Sequence, residues 1–118
     1  EAGADVNARS RNGSTPIHIA SGHPLGGKIL PVMLEFGADV NATDNDGRTP
    51  LHYAAINIYL NHRSIDDFLI EGLELLLEAG ADGSAVDIDG VTPFDIIKDN
   101  EAIAGTDAYW ALHDARFE

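Results

Sequence analysis

Apolar residues recur at helical spacing in separated blocks along the chain. Leu51, Ala54 and Ala55 mark the small packing face of one helix, and Ile65, Phe68, Leu69, Gly72, Leu73 and Leu76 that of another. Tyr109, Leu112 and Ala115 or Arg116 share a face in the last block, residues 106–117. Turn dipeptides punctuate the blocks: Asn12-Gly13, Asp46-Gly47 and Asp89-Gly90 supply a backbone with positive φ. After each turn comes a Thr-Pro pair. Thr15, Thr49 and Thr92 are expected to cap a helix through the hydroxyl, with proline at the first helical position, where its missing N–H costs nothing. A second helix follows, ending "MLEFG" at 33–37 and "LLLEAG" at 75–80; Gly37 and Gly80 fit the left-handed residue just past a helix end. Each block is therefore turn, helix, loop, helix, glycine stop and an extended stretch into the next turn.

The blocks repeat letter for letter. "GADVNA" stands at 3–8 and 37–42, and a damaged copy, "GADGSA", at 80–85. "NGSTPIHIA" at 12–20 matches "DGRTPLHYA" at 46–54 and, more weakly, "DGVTPFDII" at 89–97. Both markers give the same intervals, 34 and then 43 residues. With "TPIH" at 15–18, "TPLH" at 49–52 and "LLLEAGAD" at 75–82, the chain resembles the ankyrin repeat family over nearly its whole length, more loosely after Ile97. The resemblance implies an all-α solenoid of stacked antiparallel helix pairs, with β-hairpin or turn loops projecting to one side of a concave surface. A single pair cannot bury its apolar faces alone, which is the physical reason for the repetition.

The expected layout is a single domain over 1–118, beginning in mid-unit. Residues 1–9 form the tail of a truncated preceding repeat, 10–43 a full repeat, 44–86 an enlarged one and 87–118 a C-terminal capping repeat. In the cap Asp95 replaces the family histidine, Thr106 is a helix cap, and Asp107, Asp114 and Glu118 keep the outer side wet. The extra residues of the enlarged repeat fall near 56–70. Ser64 and Asp67 form a capping-box pattern, which predicts one long second helix over about 65–79 after a lengthened first helix or a loop ending near Arg63; a separate short helix is the alternative. The insert reads as a length change that loops tolerate at small cost, in preference to a dedicated contact surface. In the first repeat, one extra residue is absorbed around "GHPLGG" at 22–27, and Pro31 places the start of the second helix only shortly before it.

Composition and charge narrow the partners. The net charge is −13: residues 1–43 hold four acids against three bases, residues 44–118 sixteen against four. Such a field repels phosphate backbones and anionic membrane surfaces, so neither nucleic acid nor membrane is expected as a partner. No apolar run approaches a membrane span, and no leader or other targeting signal is visible, which favours a cytoplasmic reading. The absence of cysteine excludes disulfides. A monomer is expected.

Candidate chemistry resolves into structure. His18 and His52 stand three residues after a capping threonine, where the resemblance implies bonds to backbone groups within and between repeats. His23, His62 and His113 are isolated, with no metal-binding spacing. "DNDG" at 44–47 and "DIDG" at 87–90 echo a calcium loop but put Ala42, Tyr53, Ala85 and Ile96 where ligands belong, and so read as turns with solvated acids. No serine has an activating context, no phosphate-binding glycine loop exists, and the adjacent acids Asp66 and Asp67 suit a helix start. Neither catalysis nor a cofactor is expected. Asn7 and Asn41 match the position that asparagine hydroxylases modify in some relatives; local bonding that shapes the hairpin is the favoured reading.

The resemblance implies protein binding through hairpin tips and the first helices. The corresponding positions are Arg11, Asn12 and Ser14; Asn45, Asp46 and Arg48; Ile88, Asp89 and Val91; and, on the first helices, Ile56, Asn57 and His23. Val86, Ile88 and Val91 are unusually apolar for exposed tips, so they are either a hydrophobic contact or packed on a neighbouring hairpin. Two alternatives accompany this interaction module: a non-catalytic targeting or regulatory segment of a larger enzyme or effector, and a structural spacer.

Overall fold

The computed structural model describes residues 6–23, 26–60, 67–99 and 104–117. Among these residues lie six helices and no strands: α1 (Pro16–Ser21), α2 (Gly26–Glu35), α3 (Pro50–Leu60), α4 (Asp67–Glu78), α5 (Pro93–Ile97) and α6 (Asp107–Phe117). They form three pairs, α1 with α2, α3 with α4 and α5 with α6. Successive pairs stack in two layers, α1–α3–α5 and α2–α4–α6.

Equivalent letters fill equivalent places in the core. Ile17, Leu51 and Phe94 follow the Thr-Pro pairs and are buried, as are Ala20, Ala54 and Ile97 three positions on. Leu30 and Leu73 do the same in the second layer, and Leu76, Ala108 and Leu112 complete the cluster. Each helix thus buries a narrow stripe against its partner and its neighbour in the stack, and burying a Leu or Ile in this way is worth about 2 kcal/mol. Gly72 lies in the contact between α2 and α4: a Cβ there would be 3.6 Å from the backbone nitrogen of Gly27, an ordinary packing distance.

Helix ends follow the sequence. Gly37 and Gly80 adopt φ of 89° and 98°, which a side chain would strain. The reciprocal cap is complete at Thr92, whose hydroxyl accepts from Asp95 N at 3.2 Å while Asp95 Oδ2 accepts from Thr92 N at 3.0 Å. At Thr15 the histidine ring does the capping, Nδ1 of His18 accepting the Thr15 N–H at 3.0 Å. Thr106 Oγ1 accepts from Tyr109 N at 3.2 Å, as a cap for α6 should.

Two expectations shift. Pro31 lies well inside α2 rather than near its start. It removes only the bond to the Gly27 carbonyl, and burial of Gly26, Gly27 and Leu30 holds the helix together. The enlarged repeat lengthens its first helix: α3 runs five residues beyond the point equivalent to the end of α1, about 7.5 Å of added rise. Ile58 in that extension is fully buried. The second helix, α4, starts at Asp67; Ser64 and Ile65 lie outside the described residues, and with them the expected capping box.

Candidate functional site

The three hairpins are built the same way. Ser10 N donates to Ser14 O, Asp44 N to Arg48 O and Asp87 N to Val91 O, each within 3.0 Å. Gly13, Gly47 and Gly90 take φ between 76° and 81° to close them. Successive hairpins are joined backbone to backbone: Asn45 N donates to Asn12 O and Ile88 N to Asp46 O, both at 2.8 Å.

Asp44 and Asp87 are not solvated acids, as the turn pattern suggested, but buried ones. Asp44 Oδ1 accepts from the N–H groups of Asp46 and Arg48 at 2.9 Å, and its Oδ2 from the Tyr53 hydroxyl at 2.6 Å. Burial pushes the Asp44 pKa up, but the Tyr53 hydroxyl and the two backbone donors outweigh it, leaving the carboxyl below its usual 3.8. Asp87 repeats the arrangement with Asp89 N and Val91 N, and Arg48 Nε reaches across from the preceding hairpin to its Oδ2 at 3.6 Å. Its pKa too is lowered, burial being overcome by the backbone bonds and by the nearby His52 and Arg48 charges. These oxygens are committed to shaping the turn. Among the described residues no group of three or more His, Asp or Glu side chains is placed to hold a metal ion.

The histidines act as sequence position implied. Nδ1 of His52 accepts from Thr49 N at 3.1 Å, so the proton resides on Nε2, which donates to the carbonyl of Val91 in the next repeat at 2.7 Å. His18 does the same between Thr15 N and the carbonyl of Arg48. Burial lowers the His52 pKa below 6.5, against the opposing effects of the Val91 bond and Asp87. Asn7 and Asn41 bond between repeats, not locally. Asn7 Oδ1 accepts from Asp39 N at 2.8 Å while its amide donates to Gly37 O; Asn41 makes the same pair of bonds to Asp82 N and Gly80 O. The amide of an asparagine has both a donor and an acceptor to offer, and the neighbouring turn presents the complement.

The predicted contact positions divide. Arg11, Asn12, Asn45, Asp46, Val86, Ile88 and Asp89 are exposed, with Ile88 73% and Val86 55% accessible. Neither Val86 nor Ile88 is packed away. Arg48, Ile56 and Val91 are half-buried, and His23 is exposed beyond the end of α1. Two positions are withdrawn. Ser14 is buried, its hydroxyl bonded to Asn12 and Ser10, and Asn57 is buried at the base of a groove between the first two repeats. The sequence reading missed that groove, about 290 Å³, walled by Gly22, Tyr53, Ile56 and Leu60 with Arg48 and Asn57. Tyr53 packs edge-on against the His18 ring, centroids 4.8 Å apart. The available signal was position: Tyr53 directly follows "TPLH", and the α1 counterpart of Ile56 is Gly22.

A family model described as Ankyrin repeats (3 copies) matches residues 2–87. No curated protein matches the chain. The matched stretch includes the repeated "GADVNA" and Thr-Pro-Leu/Ile-His segments whose side chains tie one helix pair to the next. Ankyrin repeats are in general protein–protein interaction modules, and this chain belongs to the ankyrin repeat family.

Proposed function

We propose that the chain binds a protein partner, as a monomer and without catalysis of its own, through the face formed by its hairpin tips and first helices. The carrying observation is the division of labour among its side chains. The buried polar residues that sequence singles out as chemistry, His18, His52, Asp44 and Asp87, are spent on holding turns and repeats together. Among the described residues no buried side-chain nitrogen or oxygen lacks a partner, in keeping with a structural use of these groups.

The exposed apolar side chains lie elsewhere. Ile88 and Val86 present aliphatic surface in the third hairpin beside the exposed Asp46 and Asp89, Ile88 N donating to Asp46 O. Leu60, at the end of α3, lines the groove with the half-exposed Arg48. An exposed apolar cluster rimmed by polar groups is the usual composition of a contact surface. The contact residues are Arg11, Asn12, Asn45, Asp46, Arg48, Ile56, Val86, Ile88, Asp89 and, at the rim, His23 and Val91. The test replaces Ile88 and Leu60 with serine and measures affinity for a captured partner alongside thermal melting. At least a tenfold loss of affinity with an unchanged melting temperature supports the reading; loss of stability in step with affinity would overturn it.

A further inference from the structure

In the second and third hairpins side chains alternate, Thr43 and Asn45 exposed about the buried Asp44, and Val86 and Ile88 exposed about the buried Asp87. In the first, the same register selects Arg9 and Arg11, both exposed, and Ser10 between them is exposed as well. The hairpins adjoin in chain order. Arg9 donates from its guanidinium to the Thr43 carbonyl, Asn45 Nδ2 donates to the Arg11 carbonyl at 3.0 Å, and Ile88 N donates to Asp46 O. The outer row therefore runs from two arginines through two uncharged polar residues to two aliphatic ones. Its aliphatic end lies beside the exposed Asp46 and Asp89. The overall charge conceals this, because the first repeat is nearly neutral and the acids gather beyond it.

We propose that this row is read by one extended segment of a partner protein. The segment carries carboxylates at one end and, about six residues away, an aliphatic side chain flanked by lysine or arginine. The spacing follows from the stack. Packed helices stand about 10 Å apart, so two steps cover about 20 Å; an extended chain advances about 3.3 Å per residue. Carboxylates meet Arg9 and Arg11, the aliphatic group covers Val86 and Ile88, and the flanking cations face Asp46 and Asp89. The order of charges fixes the direction in which the segment lies. The inference rests on the protein-binding reading above and specifies its ligand.

Selection from a displayed library of random peptides about twelve residues long, about 40 Å when extended, tests both readings separately. The enriched sequences are expected to share the carboxylate-to-aliphatic spacing and the flanking cations. A synthetic consensus peptide should bind Arg9→Glu/Arg11→Glu and Val86→Ser/Ile88→Ser at least about tenfold more weakly. A peptide with its carboxylates exchanged for lysine should recover binding to the arginine variant. Arg11→Glu alone, which leaves the Arg9 tie to Thr43 intact, serves as the second variant if the double change unsettles the hairpin. Enriched peptides that bind these variants unchanged but lose affinity for Leu60→Ser would overturn the row while leaving protein binding in place. No enrichment at all would overturn both.

Discussion

Nε2 of His52 donates to the backbone carbonyl of Val91 at 2.7 Å, joining a first helix to the hairpin of the next repeat. With Nδ1 holding the Thr49 N–H, one buried ring satisfies two backbone groups that would otherwise be stranded. His52→Ala should destabilise by about 3 kcal/mol, since it leaves both groups unpaired and opens a cavity. Urea unfolding at neutral pH checks the size of the loss.

The same ring predicts acid sensitivity. Burial holds the His52 pKa below 6.5, so at lower pH the unfolded chain takes up a proton that the folded ring resists. The stability contribution is therefore complete above pH 6.5 and is lost as pH falls below it. A second loss belongs to Asp44, Asp82 and Asp87, whose folded pKa values lie below 3.8 and whose contributions disappear as they protonate. Stability measured against pH should fall in two stages, and His52→Gln should flatten the first alone.

Tyr53 titrates late. Its hydroxyl is partly buried and donates to the Asp44 carboxylate, and burial first, then that bond and charge, raise its pKa from 10.0 to about 12. A raised phenol pKa stabilises the fold below pH 10, and that stabilisation is lost as pH climbs from 10 towards 12. The phenolate absorbance should show one tyrosine ionising about two pH units after an exposed one. Tyr53→Phe should remove that late titration, cost about 1 kcal/mol and raise the Asp44 pKa.

The Thr92 cap and the glycine stops were legible because each is dictated by residues within a few positions of one another. Thr92 with Asp95, and Gly80 after "LLLEA", need no distant partner to be understood. What escaped depends on residues further off, in the same repeat or in the next. The burial of Asp44 depends on Tyr53 folding back from nine residues on, and that of Asp87 on Arg48 arriving from the hairpin before. Asn41 looked like a hairpin former because its partners, Gly80 and Asp82, belong to the next unit. The groove exists because α1 stops at Gly22 while α3 continues to Leu60, a difference of length that no letter of either helix states by itself.

Asn41 accordingly couples two repeats more than it shapes one. Ser84, at its position in the next unit, bonds among the described residues to Asp82 of its own turn. Asn41→Ser should therefore break the tie without disturbing the hairpin, at a cost of about 1 kcal/mol. Amide exchange should quicken at Asp82, whose N–H loses its acceptor, and in α6 more than in α1. Uniform quickening along the chain would instead mark Asn41 as a local residue.

Two glycines within second-layer helices should respond oppositely to alanine. A Cβ on Gly72 would meet Gly27 N and the Leu30 side chain at 3.6 Å, ordinary contact distances, and Gly72 lies inside α4 with no positive φ. Alanine there gains helix propensity and apolar contact, so Gly72→Ala should stabilise by up to about 1 kcal/mol. A Cβ on Gly26, at the start of α2, would lie 2.8 Å from the Ala20 carbonyl oxygen, a backbone atom that cannot swing aside. Gly26→Ala should cost about 2 kcal/mol as α2 is pushed off α1. Thermal melting of the two variants checks the contrast. Were both destabilising, the second layer would be packed more tightly at Gly72 than its 3.6 Å clearance allows, and helix propensity would count for less there than contact.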